Sequence, residues 1–263
     1  MSTRSVATAV VGLLAAGGLL GTLVTPSLAE AFTSAAERVS SAAPTTVPVV
    51  EGSAAQQLES LPVKGRAPMT GYDPDHSFGS SWSDAATPSV NGSRDGCDTR
   101  NDVLRRDLTQ TVIKPGTNGC VVLTGILHDP YGGTQIAWER GPQSAEVQVD
   151  HVVAKGNGWV TGAQQLSEQQ RLDFANDPLN LLAVDGPLNS SKSDGDAATW
   201  LPPTKSYRCE YVARQIAVKD RYDLWVTAPE KEAMRRVLIS CPDQPRADQS
   251  TSWKTPAPRE GDR

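Results

Sequence analysis

The chain has 263 residues, 38% of them apolar and 21% charged, with 25 Lys and Arg against 30 Asp and Glu for a net charge of −5. That leaves room for one domain of about 180 residues with loose ends, not for two large cores. The acidic balance excludes a protein that grips polyanions through a broad basic face, while a local basic groove stays possible.

In chain order, residues 1–31 carry Arg4, an apolar run from Val6 to Val24, and small residues at Ser27, Ala29 and Ala31. This is the layout of a secretory leader cleaved after Ala29 or Ala31; the run is also long enough to act as an amino-terminal membrane anchor. Either way the remainder is expected outside the cytoplasm. Residues 32–63, rich in Ala, Ser, Thr, Pro and Val with no sustained apolar period, read as a disordered linker. Asp75 and His76 form an Asp-His pair without flanking strands, so a loop is expected there.

Asp98 is placed to cap a helix over residues 99–109, with Val103, Leu104 and Leu108 on its apolar side and Arg100, Arg105 and Arg106 outward. Strands are expected at 111–114, 120–127 and 134–138, separated by PGTNG and DPYGG turns, with His128 at a strand end. The alternation of Val147 and Val149 with Gln148 and Asp150 is a further strand, ending on Asp150 and His151. Residues 154–178 read as a mostly helical insert, with a helix over 164–175, whose work is to pack against its surroundings. Asn180 leads a second apolar strand, 181–184. The DGP turn then puts Pro187 at the start of a short helix carrying Asn189 and Lys192 three apart.

Strand, insert, strand and helix together assemble a candidate metal centre. A hard divalent cation such as Mg²⁺ takes oxygen ligands, keeps several waters and needs only one or two protein groups. The Asp150 carboxylate and the Asn189 amide oxygen meet that need and leave His151 free as a base.

After LPP at 201–203, helices are expected over 207–222 and 229–240, their aliphatic and aromatic residues forming core. Residues 243–263 read as a loose polar tail. The four cysteines show no CxxC spacing, which favours disulfides over zinc in an exported chain. Cys97–Cys120 and Cys209–Cys241 are the preferred pairs of the three possible, since each brackets one continuous unit.

The DH pair at Asp150 and His151, the middle Asn180, the last Asn189 and the NxxK run to Lys192 resemble the HNH endonucleases of the ββα-metal (His-Me finger) superfamily. With GCDTRNDVLRRDL at 96–108 and NDPLNLLAVDGPLN at 176–189, the likeness to secreted bacterial HNH proteins covers roughly residues 70–242. It implies an α+β fold: a ββα-metal finger embedded in a mixed domain, spanning 64–242, with a small antiparallel sheet and carboxy-terminal helices. It also implies a monomeric exported endonuclease with one divalent ion, Mg²⁺ first and Mn²⁺ or another ion as options, acting on nucleic acid with DNA favoured over RNA and with no obligate protein partner.

In that reading His151 is the general base, Asp150 and Asn189 are metal ligands, and Asn180 holds the loop that bears the histidine. Lys192, and Arg100 from the DTR run, supply positive charge to the phosphate. Asparagine in place of histidine at the last signature position leaves the preferred metal open. The alternatives are a non-catalytic secreted or cell-envelope binding protein on the same scaffold, and a serine hydrolase, which the absence of a GxSxG elbow disfavours.

Overall fold

A computed structural model describes residues 49–248. The expected leader, most of the linker and the end of the tail lie outside the described residues. Among those described, no helix is long and apolar enough to cross a membrane.

The first helix, α1 (Ala54–Ser60), is capped by Ser53 and buries Ala54, Ala55 and Leu58. It corrects the linker expectation, because these residues belong to the same core cluster as Tyr211, Ile216 and Met234. The expected tail is also partly tied back: Ala54 N–H donates to the Gln244 carbonyl, and Ser53 bridges Pro245.

Next come α2 (Thr99–Asp107) and the strands β1 (Leu108–Ile113), β2 (Val122–His128) and β3 (Gln135–Glu139), which form an antiparallel sheet in that order. Asp98 caps α2 by accepting the Asn101 N–H. Arg105 and Arg106 do not face outward as expected. Their side chains are 7% and 2% exposed, and Arg106 donates to the carbonyls of Pro178 and Leu181.

The strand β4 (Val147–His151) pairs antiparallel with β5 (Leu181–Asp185), setting Asp150 opposite Leu182 and His151 opposite Leu181. Between them run α3 (Lys155–Val160) and α4 (Glu168–Asn176), two helices where one over 164–175 was expected. Ser167 and Gln170 form a capping box that starts α4 at Glu168. The helix α5 (Gly186–Lys192) follows β5 directly, its first turn held by the Asp185 side chain on Leu188 N–H. Gly186 is required there, since a Cβ would collide with the Ala145 carbonyl oxygen. Finally α6 (Arg208–Arg221) and α7 (Ala228–Leu238) close the domain.

β5 is the hub of the packing. Leu181 and Ala183 enter a cluster with Leu104, Leu127 and Trp138, while Leu182 and Val184 enter the one with Tyr131, Tyr211 and Ile216. A strand buried on both faces reads as a continuous apolar run, as LLAV does. Its free edge is sealed by side chains: Arg106 and Arg214 donate to Leu181 O, Asp107 accepts from Ala183 N–H and Asp129 from Asp185 N–H. These bonds satisfy an edge that would otherwise invite further pairing. A third cluster, with Phe78, Trp159, Phe174 and Tyr222, anchors the insert.

The disulfides are Cys97–Cys120 and Cys209–Cys241, the expected pairs, closing loops with separations of 23 and 32 residues. Loops of that size stabilise by about 3 to 4 kcal/mol each in the chain-entropy account.

Candidate active site

Asp150 is the penultimate residue of β4, its carboxylate turned inward at 5% exposure. Tyr131, from the turn between β2 and β3, donates its hydroxyl to Oδ2 at 2.5 Å. Lys192, in the last turn of α5, donates Nζ to Oδ1 at 2.9 Å and to the His151 carbonyl at 2.8 Å. Burial pushes the Asp150 carboxyl above its ordinary value, while Lys192 and Tyr131 pull the other way. A carboxylate offers about four lone-pair sites, so both oxygens keep acceptor capacity after these bonds.

Asn189 is half-buried on α5 and donates Nδ2 to Gln148 Oε1 at 2.9 Å. That bond fixes the amide and leaves its oxygen for another partner. Asp150, His151 and Asn189 line one cavity of about 190 Å³, together with Tyr72, Lys155 and Asp194. One carboxylate and one amide oxygen facing a shared cavity is a donor set that fits a hard, largely hydrated cation. A larger cavity, about 580 Å³, lies elsewhere, against residues 63–66 and 227–229, and holds none of these groups.

His151 bonds through Nε2 to the Ala175 carbonyl at 2.9 Å. A carbonyl only accepts, so the proton sits on Nε2 and the neutral ring keeps Nδ1 as its basic nitrogen. The ring stacks on Trp82 at 6.0 Å and 17°. Burial lowers the imidazole pKa to about 4, with the charges of Lys155 and Lys192 adding to the shift.

Asn180 is fully buried and entirely engaged with backbone. Its Oδ1 accepts from Val153 N–H at 2.8 Å, and its Nδ2 donates to Val153 O and Phe174 O. It thereby ties the segment after His151 to the end of α4, which supplies the Ala175 carbonyl. The insert does more than pack, because it fixes the histidine's tautomer.

The other expected residues fall differently. Lys192 is 2% exposed and its bonds to Asp150 and the His151 carbonyl are internal, so its ammonium pairs with Asp150 inside the fold rather than lying free at the surface. Arg100 lies over the Trp138 ring at 5.7 Å and lines neither cavity flanking His151. Burial first, then Arg140, lowers its pKa. His76 bonds Asp73 on an exposed loop, and His128 meets Gln135 at a strand end. Asp95, Cys97 and Asp102 approach one another closely enough to suggest a metal, but the Cys97 sulfur is in a disulfide and offers no thiolate.

Sequence reasoning missed Tyr131, Trp82, Tyr72 and the Ala175 carbonyl. Tyr131 sits in a DPYGG turn that signals only a loop, and a backbone carbonyl carries no residue identity at all.

Residues 98–237 match the family described as GmrSD restriction endonucleases, C-terminal domain, a span containing all six expected site residues. An uncharacterized secreted protein of Arthroderma benhamiae is 36% identical over 201 residues, which cover 75% of this chain and 90% of that protein. No solved structure matches the chain.

Proposed function

The chain belongs to the family of GmrSD restriction endonuclease C-terminal domains, and from that premise we propose that it is an exported, metal-dependent endonuclease of the ββα-metal (HNH) type. Its substrate is nucleic acid, with DNA favoured, and its reaction is phosphodiester hydrolysis. The observation that carries this reading is one cavity lined by Asp150, Asn189 and His151, with the histidine's Nδ1 left basic.

Asp150 and Asn189 would hold a single divalent ion, Mg²⁺ or Mn²⁺. When bound, that ion supplies charge neutralisation at the phosphoryl oxygens and at the departing 3′ oxygen. His151 Nδ1 would take the proton from the attacking water, while the Ala175 carbonyl fixes the ring through Nε2. The depressed pKa keeps the ring neutral, and so able to accept a proton, well into the acid range. Asn180 fixes the backbone on both sides of that arrangement. Lys192 and Tyr131 orient the carboxylate, which transfers Lys192 from phosphate contact to positioning. The secreted relative and the two disulfides support export.

A second reading, a non-catalytic binding protein on this scaffold, draws on the Lys192–Asp150 pair, since an internal cation already balances the carboxylate. Incubating the full chain with plasmid DNA and with RNA, in Mg²⁺ or in EDTA, separates the two. The nuclease reading predicts cleavage in Mg²⁺ that EDTA stops; intact nucleic acid under every divalent ion tested selects the binding protein.

A further inference from the structure

With Lys192 locked inside and Arg100 on α2 over the Trp138 ring, neither of these two cations takes the place beside a bound phosphodiester. We propose that Lys155 fills this place and contacts the phosphate undergoing cleavage, an inference that rests on the nuclease reading above. Lys155 opens α3, four residues beyond His151. It lines the cavity that holds Asp150 and Asn189. It also lines the smaller one behind the histidine, about 50 Å³, walled by Ser80, Ser81 and Trp82. Either approach to the imidazole therefore passes its side chain.

Its ammonium is available. Nζ donates to the Pro74 carbonyl at 2.7 Å in an exposed setting, and an ammonium has three N–H donors, so two remain for phosphate oxygens. Among the described residues no carboxylate forms an ion pair with it. The neighbouring Asp194 instead accepts the Gly156 N–H at 3.1 Å, which holds that carboxylate on the backbone of α3. A half-exposed lysine lining a cavity, outside any direct ion pair and beside the candidate base, is placed to meet an anion. Its bond to Pro74 also links α3 to the segment carrying Tyr72 and Trp82, so the ammonium is aimed before any substrate arrives.

The test measures binding of a short fluorescent DNA duplex to the full chain in EDTA over a salt series, alongside cleavage in Mg²⁺. Lys155→Gln removes the charge and keeps a donor for Pro74, Lys155→Arg keeps the charge, and Arg236→Ala removes an exposed cation from α7. Loss of a charged phosphate bond in Lys155→Gln should weaken binding by about 10-fold at low salt. It should also make the dependence of log K on log salt shallower by about one. Lys155→Arg and Arg236→Ala should keep the wild-type slope. A wild type that binds and cuts, with an unchanged slope in Lys155→Gln, overturns the role of Lys155 alone; a wild type that neither binds nor cuts overturns the nuclease reading beneath it.

Discussion

Among the described residues two lysines have fully enclosed side chains paired with buried carboxylates, and the regions around them differ in what lies beyond the pair. Lys219 meets Glu230 at 2.9 Å with both side chains fully enclosed between α6 and α7. Its remaining bonds go to Thr161 and the Trp225 carbonyl, and Glu230 also completes the capping box that starts α7. Lys192 meets Asp150 at the same 2.9 Å, but Asp150 also borders a cavity shared with a histidine and an amide. The same ion-pair chemistry serves as a structural joint in the first place and as the back wall of a site in the second. What separates them is the acceptor capacity left facing open space.

That contrast can be broken most forcefully at the joint. Lys219→Met leaves Glu230 buried without its cation, and breaking a buried pair in this way costs about 3 to 5 kcal/mol. Denaturant melts should show that loss while the surviving folded protein binds Mn²⁺ as wild type does; a selective loss of metal affinity would erase the distinction. Next in size is protonation of the histidine. Its pKa is about 4 in the fold against an ordinary 6.5, so between these values the unfolded chain takes up a proton that the native chain refuses. Stability should therefore fall as pH drops from 6.5 to 4, by on the order of 3 kcal/mol, and this contribution should level off below. His151→Gln should flatten that part of the pH–stability curve; an unaltered curve in the variant would show that the imidazole is solvated. The acid limb of kcat/KM should likewise lie near 4, and a limb near 6.5 would point the same way.

A smaller effect belongs to Tyr131→Phe. It removes the hydroxyl from Asp150 Oδ2 and keeps the ring against Trp200, Tyr207 and Tyr211. Loss of such an outer partner costs about 10- to 100-fold in metal affinity. Calorimetry with Mn²⁺ should find that loss together with a nearly unchanged melt. Equal affinity would mean that Lys192 alone orients the carboxylate.

Much of this arrangement is legible in the residues, for local reasons. Asp98 and Asp185 are helix caps with their own chemistry, DGP forces a turn, and LLAV announces a strand buried on both sides. The cysteine pairs follow from the units they bracket. The misses have physical causes as well. AAQQLES offers only Ala54, Ala55 and Leu58 to a core, too little for a periodic pattern, and its burial depends on α6 and α7 far along the chain. Ser53 with Gln56 does spell a helix start, since Gln56 Oε1 accepts the Gly52 N–H while its own N–H donates to Ser53 Oγ. Spacing placed Asn189 and Lys192 on one helix face but could not tell a half-open position from a sealed one. The displacement of Arg106 from the surface came from demand at a distance, the open carbonyls at Pro178 and Leu181, whereas Arg105 turns in on Asp102 within its own helix.

The most direct test of the site is metal titration by calorimetry paired with plasmid cleavage in wild type, His151→Ala, Asp150→Ala and Asn189→Ala. The last of these leaves no buried charge unpaired and so guards against misfolding. Loss of a general base costs about 10²- to 10⁴-fold in rate. His151→Ala should therefore cleave at that reduced level while binding Mn²⁺ nearly as wild type does, and the Asp150 and Asn189 variants should lose both binding and cleavage. Wild-type metal affinity in Asp150→Ala and Asn189→Ala would contradict the account.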